Sequence, residues 1–381
     1  MITTINNKHN KLNVPNLRFP EFQGEWEKCR LGDVCTFLSG GTPKIDVKEF
    51  WNGTIPFVSA ISMHDTYILD SKLHISEEGL KHGSRLLTKN NLLLLVRGSM
   101  LWNTIPICLN KNDVAFNQDV KGIIANDTIN NEFLLYWLKS KEQRLKYMVT
   151  GTGLGAGKLD TSDLLSMIVY IPAMKEQDKV ARLLSLFDER IATQSKIIDK
   201  LQSLIKGIAQ KIVHSNKTNV HLSECVECSS STLQESDVCE HGAYPVYGAN
   251  GIVGYLDNYN TEDEAVYIIK DGSGVGTVSY VTGKCSATGT LNTLQAKEGY
   301  SLQYLYYLLK VFNFEPYKTG MAIPHIYFKD YGKAKFFCPS YTEQLQYAQS
   351  LSAIDSKLLV EKNILTSLSM QKKYLLRQMF I

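Results

Sequence analysis

The chain repeats itself, and the repeat limits what it can fold into. "IPAMKEQDKVARLLSLFDERI" (Ile171 to Ile191) and "CPSYTEQLQYAQSLSAIDSKL" (Cys338 to Leu358) align at a single offset of 167 residues, with Pro172 on Pro339, Glu176-Gln177 on Glu343-Gln344 and Asp188 on Asp355. Phe187, Ile191, Gln194, Ile198, Leu201, Ile205, Ile208 and Ile212 follow alternating steps of four and three, the a/d seam of a coiled-coil helix. The same offset yields Ile354, Leu358, Glu361, Leu365, Leu368, Lys372, Leu375 and Met379, with polar Glu361 standing where Gln194 does. Two long helices with matching stripes cover them most simply by packing on one another; the alternative is two amphipathic helices, each on its own core. Pro172 and Pro339 stop the preceding strands, and Ser340 with Glu343 forms an S-x-x-E capping box. Ala173 offers the first helix no matching cap, the polar "HSNKTN" after Ile212 to Val213 ends it, and the second helix runs to the last residues.

Ahead of each helix the texture changes. Residues 26–172 and 220–339 are rich in Gly, Thr, Val, Tyr and Asn, with short alternating runs such as "IPFVSAISM" and "EAVYIIKDGSGVGTVSYV", the latter a hairpin turning at Asp271-Gly272. Each segment carries one aromatic helical stretch late in its course, "NEFLLYWLKSKEQRLKYM" and "SLQYLYYLLKVF". Their openings also correspond, "RLGDVCTF" with "HLSECVEC". The expected organisation is a globular α+β domain (1–173), a helix (174–216), a second α+β domain (217–339) and a second helix (340–381), a pseudo-twofold molecule built from one chain.

Composition excludes some classes and leaves others open. The polar start has no apolar h-region, and the longest apolar run is the short "NLLLLV", so neither a signal peptide nor a membrane span is expected. Eight scattered cysteines then read as reduced thiols of a cytoplasmic protein. A net charge of +3 decides nothing about nucleic acid, because a basic face can coexist with a near-neutral total.

Three motifs invite a chemical reading. "VTGTGLGAGKLD" looks like a phosphate-binding loop, but Thr152 occupies the first glycine position of G-x-x-x-x-G-K-[ST] and Leu159 the hydroxyl position. At the offset of the repeat, Thr152-Gly153 falls on Thr319-Gly320 and Lys158-Leu159 on His325-Ile326, with Pro324 where Gly157 stands, which suits a duplicated bent loop better than a phosphate cradle. Cys225, Cys228, Cys239 and His241 could surround zinc, yet Val34 and Phe37 occupy the places of Cys225 and Cys228 in the first copy, so a small apolar role is favoured. "DGSGVG" lies inside a hairpin and does not fit a dinucleotide fingerprint. With no HExxH, G-x-S-x-G or aminomethyltransferase motif, the chain reads as a binder without a catalytic centre of its own and without a resident metal or cofactor.

"PNLRFPEFQGEWEKCRLGDV", "SGGTPK", "FNQDVKGI", "YPVYGANGIVGYLD" and the two P-x-x-x-E-Q helix entrances, in this order within a duplicated layout, resemble the specificity subunits of type I restriction-modification systems. The resemblance runs from about residue 15 to the end. It implies two target recognition domains, each reading one half of a bipartite asymmetric DNA site, joined by an antiparallel coiled coil that acts as a spacer. The seam from Phe187 to Ile212 spans roughly 39 Å at 1.5 Å per residue, close to the roughly 34 to 36 Å of one B-DNA turn. It further implies two methyltransferase subunits bringing S-adenosylmethionine, and ATP- and Mg2+-dependent translocating restriction subunits, with adenine flipped by the partners. Candidate DNA contacts are Ser39, Gly40, Gly41, Thr42, Lys44, Lys121 and Lys158 in the first domain, and Tyr247, Asn250, Lys270, Ser273, Lys284 and Thr290 in the second. A coiled-coil adaptor that binds only proteins, or a stand-alone nuclease or NTPase, are the competing readings.

Overall fold

The computed structural model describes residues 3–4, 13–153, 155–215, 217–320 and 323–381. By packing, the chain divides into two units, Met1–Thr193 with Leu365–Ile381, and Gln194–Ile364. Each unit therefore contains one α+β domain together with one end of each long helix.

In the first domain a mixed sheet runs in the order Cys35–Ser39, Val120–Ala125, Leu92–Leu95, Ile107–Asn110 and Tyr67–Ile68. Its middle strand reads as four consecutive leucines because both faces are covered; all four are 0% exposed. A second sheet of four strands sets Ile55–Val58 parallel to Val114–Phe116. The aromatic helix Asn131–Ser140 buries six consecutive side chains from Phe133 to Leu138, and the side chain of its N-cap Asn130 accepts from the Glu132 and Phe133 amides.

The second domain repeats this plan with fewer strands. Val226–Ser230, Leu291–Ala296, Glu264–Ile269 and Val278–Thr282 form the main sheet, in the order of their counterparts, and Tyr244–Gly248 pairs parallel with Ser286–Ala287 as Ile55–Val58 does with Val114–Phe116. The aromatic helix is Leu302–Val311, capped by Ser301. The matched openings "RLGDVCTF" and "HLSECVEC" each fold as a four-residue helix, Leu31–Val34 or Leu222–Cys225, leading into an edge strand. The expected hairpin pairs Glu264–Ile269 with Val278–Thr282, but through a loop over 270–277 rather than a tight turn at Asp271-Gly272.

The long helices are Met174–Ser215, of 42 residues, and Tyr341–Gln378, of 38. Within the second unit, Gln194 meets Glu361 while Gln202 and Ile205 line one cleft with Asp355 and Leu358, so the helices run antiparallel. Gln194, Ile198, Ile205, Ile212, Leu358, Glu361 and Leu368 are buried, and Phe187, Ile191, Leu201, Ile208, Ile354, Leu365 and Leu375 are half-buried. Two seam positions do other work. The Lys372 amine forms an ion pair with Asp188 in place of an apolar knob. Met379 lies one residue past the helix and enters the core of the first domain, beside Phe380, whose ring stands 5.3 Å from that of Phe133.

The P-x-x-x-E-Q entrances have a shared mechanical role. The Gln177 side chain donates to the Pro172 carbonyl and accepts from the Asn130 amide; Gln344 does the same to Pro339 and Ser301, tying each long helix to the first turn of its aromatic helix. The preceding glutamates diverge. Ser340 and Glu343 make the expected reciprocal capping box. Glu176 is 2% exposed and takes a bidentate grip from Arg18, at 2.7 and 2.8 Å, with Trp26 Nε1 donating at 3.3 Å. The "NLRFPEFQGEW" stretch is thereby clamped onto the first domain.

Candidate nucleic-acid interface

Three strand ends meet at one end of the first domain's main sheet. Ser39 closes its strand opposite Lys121, and the Lys121 amine donates to Ser39 Oγ at 2.6 Å. Beside them, Arg97-Gly98 follows the buried strand Leu92–Leu95 and pairs with Gly157-Lys158, which in turn pairs with Thr150-Gly151. The glycine-rich stretch, expected as a bent loop, is thus a hairpin lying on Arg97-Gly98. Leu154 is outside the described residues; Gly153 and Gly155 have φ of 81° and 78°. Lys158 Nζ stands 3.2 Å from Asp160, the N-cap of Thr161–Ser166. Hydrogen bonds from Ser162 and then Lys158 hold the Asp160 carboxyl well below its ordinary range, at about 2.

The same end of the second domain is built alike. Lys270 donates to Ser230 Oγ at 2.6 Å and its amide bonds to the Thr290 carbonyl. Asp271 and Thr319 each form a bridge with His325, as Arg97 and Thr150 each pair with Lys158. Main-chain bonds fix the equivalence: Leu159 donates to the Val96 carbonyl, and Ile326 donates to that of Lys270. Thr319 therefore corresponds to Thr150, so the second hairpin is two residues shorter than the constant offset implied; Met321 and Ala322 lie outside the described residues.

Placement separates the candidate residues. Ser39, Thr42, Lys121 and Lys158 share the first domain's strand end; Thr42 Oγ1 bonds Gln118 Oε1 at 2.7 Å. Gly40 and Gly41 serve packing: a Cβ at Gly40 would stand 2.2 Å from the Phe116 carbonyl oxygen and one at Gly41 2.4 Å from that of Gly83, while the Gly41 amide is spent on Phe116. Lys44 lies farther along an exposed loop whose carbonyl accepts from Trp51. In the second domain Lys270, Ser273 and Thr290 gather at the matching end, and half-buried Tyr247 approaches through the Thr288 amide. Asn250 tips the hairpin between Tyr244–Gly248 and Gly251–Leu256. Lys284 is at the opposite end of the Glu264–Ile269 and Val278–Thr282 pair, its amine over the Tyr259 ring.

Arg97 is the residue that sequence reasoning missed. The only signal was its place directly after the apolar run "NLLLLV"; main-chain bonds, and not the offset of the repeat, match it to Asp271. The cysteine set considered for zinc is not assembled: Cys225 Sγ faces Cys338 Sγ at 3.8 Å, and among the described residues no three His, Cys, Asp or Glu side chains group as metal ligands.

The family model for the type I restriction modification DNA specificity domain matches residues 23–203 and again 215–370. The chain belongs to this family. The two matched spans each contain one domain and reach into a long helix. The chain is similar to the EcoR124I/EcoR124II specificity subunit of Escherichia coli, 31% identical over 174 residues, which are 45% of this chain and 43% of that one. A comparable stretch of the MjaVIII specificity subunit of Methanocaldococcus jannaschii is also 31% identical and again covers 43% of the relative. The chain thus aligns with less than half the length of these relatives. The EcoprrI specificity subunit of Escherichia coli aligns over 87% of this chain and 88% of its own length at 23% identity. Among solved structures, the S subunit of a type I restriction-modification system from M. genitalium shares the fold over 97% of this chain and 99% of its own, with a TM-score of 0.67 at 19% identity.

No helix of the described residues is long and apolar enough to cross a membrane. The first unit also holds a buried polar junction between domain and helices. Asp188 accepts from Tyr136 OH at 2.8 Å and pairs with Lys372, and burial together with the Asp188 charge holds the Tyr136 hydroxyl protonated. Burial, then neighbouring Lys372, brings Lys139 down to about 8. In the second unit Tyr307, Asp355 and Lys310 repeat this arrangement, with Ile205 in the place of Lys372.

Proposed function

We propose that this chain is the sequence-recognition subunit of a type I restriction-modification complex, each domain contacting one half of a bipartite asymmetric site in double-stranded DNA through the strand end that carries Ser39, Lys121 and Lys158, or Ser230, Lys270 and Thr290. The observation that carries this reading is the double match to the specificity family on a twice-built fold. The antiparallel helices set the gap and dock two methyltransferase subunits, which supply S-adenosylmethionine chemistry; ATP- and Mg2+-dependent restriction subunits join for cleavage. The chain itself performs no catalysis and acts in the cytoplasm.

Three measurements test this. The isolated chain should neither hydrolyse ATP, nick DNA nor transfer methyl groups, and with co-expressed methyltransferase it should protect one duplex sequence selectively. ATP hydrolysis or nicking by the chain alone would favour an enzyme with an unrecognised site, and protein binding without selective protection would favour an adaptor. Lengthening both helices by one heptad should lengthen the unspecified gap in the target; an unchanged gap would defeat the spacer role.

A further inference from the structure

We propose that the two domains grip DNA unequally, the first by a phosphate clamp formed by Arg97 and Lys158, for which the second domain has no counterpart. This rests on the DNA-recognition reading above and names the contact chemistry within it.

Arg97 and Lys158 stand directly opposite one another in an antiparallel pair. Like charges so placed repel and weaken the pairing unless an anion lies between or over them. Arg97 is exposed, its amide is committed to the Asp119 carbonyl, and its guanidinium forms no ion pair with any described carboxylate. Lys158 is half-exposed, and its one carboxylate partner among the described residues, Asp160, is also engaged as a helix cap. A free guanidinium beside an ammonium suits a diester phosphate, which the planar fork grips with two parallel hydrogen bonds. The surroundings permit the approach of a duplex backbone. The hairpin carries glycine at 151, 153 and 155, exposed Trp102 lies against it with Nε1 bonded to the Gly155 carbonyl, and Lys121 supplies a third cation at the neighbouring strand end.

The equivalent pair in the second domain is Asp271 and His325, whose Oδ1 and Nδ1 are 2.6 Å apart. This pair brings a carboxylate to the corner, whereas the first brings a guanidinium and an ammonium, of which Asp160 offsets one charge. Its carboxylate is already occupied and would repel a phosphate. Lys270 remains nearby, donating to Ser230 as Lys121 donates to Ser39. Each strand end therefore offers hydroxyls and one serine-bound lysine, and the first adds Arg97 and Lys158.

The test uses the full chain assembled with its methyltransferase subunits, binding a duplex that carries the genomic methylation motif, titrated over salt concentration. One phosphate contact contributes about 0.9 to the slope of log affinity against log salt. Arg97→Ala should lower the slope by about 1. Asp271→Ala should leave the slope unchanged or raise it, and Asp271→Arg should raise it by about 1. Neutral methylphosphonate linkages should reproduce the Arg97→Ala loss when placed in one half-site and should not when placed in the other. An unchanged slope for Arg97→Ala, with wild type still discriminating the motif from a scrambled duplex and melting temperatures equal, overturns the clamp alone. Failure of the wild-type assembly to discriminate the motif overturns the DNA reading on which the clamp rests.

Discussion

Replacing Arg18 by Met tests the clamp that fastens the N-terminal stretch to the first domain. The Arg18 and Glu176 side chains are 6% and 2% exposed, joined through Nε and Nη2, and Arg18 also bonds the Gly24 and Gln23 carbonyls. Removing the guanidinium leaves a buried carboxylate whose remaining side-chain donor is Trp26 Nε1. Breaking a buried pair from one side costs about 3 to 5 kcal/mol, whereas replacing both partners by apolar groups of similar size is often near neutral. At about 2 to 4 °C per kcal/mol for a unit of this size, Arg18→Met should lower the first unit's melting temperature by roughly 6 to 20 °C. Arg18→Met with Glu176→Met should recover at least about 2 kcal/mol of that loss. Calorimetry measures both, and limited proteolysis should release the N-terminal stretch from the single variant first. A loss below about 1 kcal/mol, or strictly additive single variants, would refute the idea that Glu176 is held by Arg18 and not by its own helix.

Other outcomes follow from the same contacts. Lys372→Met, which strips Asp188 of its cation, should destabilise the first unit by about 3 kcal/mol, while Ile205→Met at the corresponding seam position should cost less than about 1.5 kcal/mol; thermal melts of the two variants make the comparison. Gly40→Ala should weaken DNA binding only in step with lost folding, because its new methyl meets the Phe116 carbonyl; weaker binding by a protein with wild-type melting would show Gly40 to be a contact residue. The folded pKa of Asp160 is depressed, so its stabilising contribution is complete above the unfolded value of 3.8 and disappears as pH falls through about 2. The melting advantage of wild type over Asp160→Ala should accordingly hold from pH 7 to about 4 and close by about pH 2.

The architecture was largely legible in the sequence because it is written twice. The a/d spacing located both long helices, and the matched aromatic stretches located the two domain helices. What the pattern could not separate is position from chemistry. Lys372 and Ile205 share a seam position beside Asp188 and Asp355 respectively, yet only the lysine pairs with its aspartate, and Asp355 takes its cation from Lys310. Glu176 and Glu343 look identical in sequence, but one is buried under Arg18 and the other caps its helix, a difference set by residues about 160 positions distant in one case and three in the other. The strand-end cluster was partly visible, as the lysines and serines in "SGGTPK" and "FNQDVKGI". Arg97 was not, since its pairing with Lys158 joins segments that no local period connects. Gly40 and Gly41 stand among the candidate contacts in the sequence, and what the sequence does not show is how closely the Phe116 and Gly83 carbonyls pack on them.

The central claim is that each domain reads its own half of one DNA site. Exchanging residues 217–339 for the corresponding domain of another specificity subunit, then mapping methylated adenines across the host genome by long-read sequencing, tests it most directly. The account predicts a bipartite motif in which only one half changes and the other half and the gap persist. A motif that changes in both halves, or not at all, would contradict it.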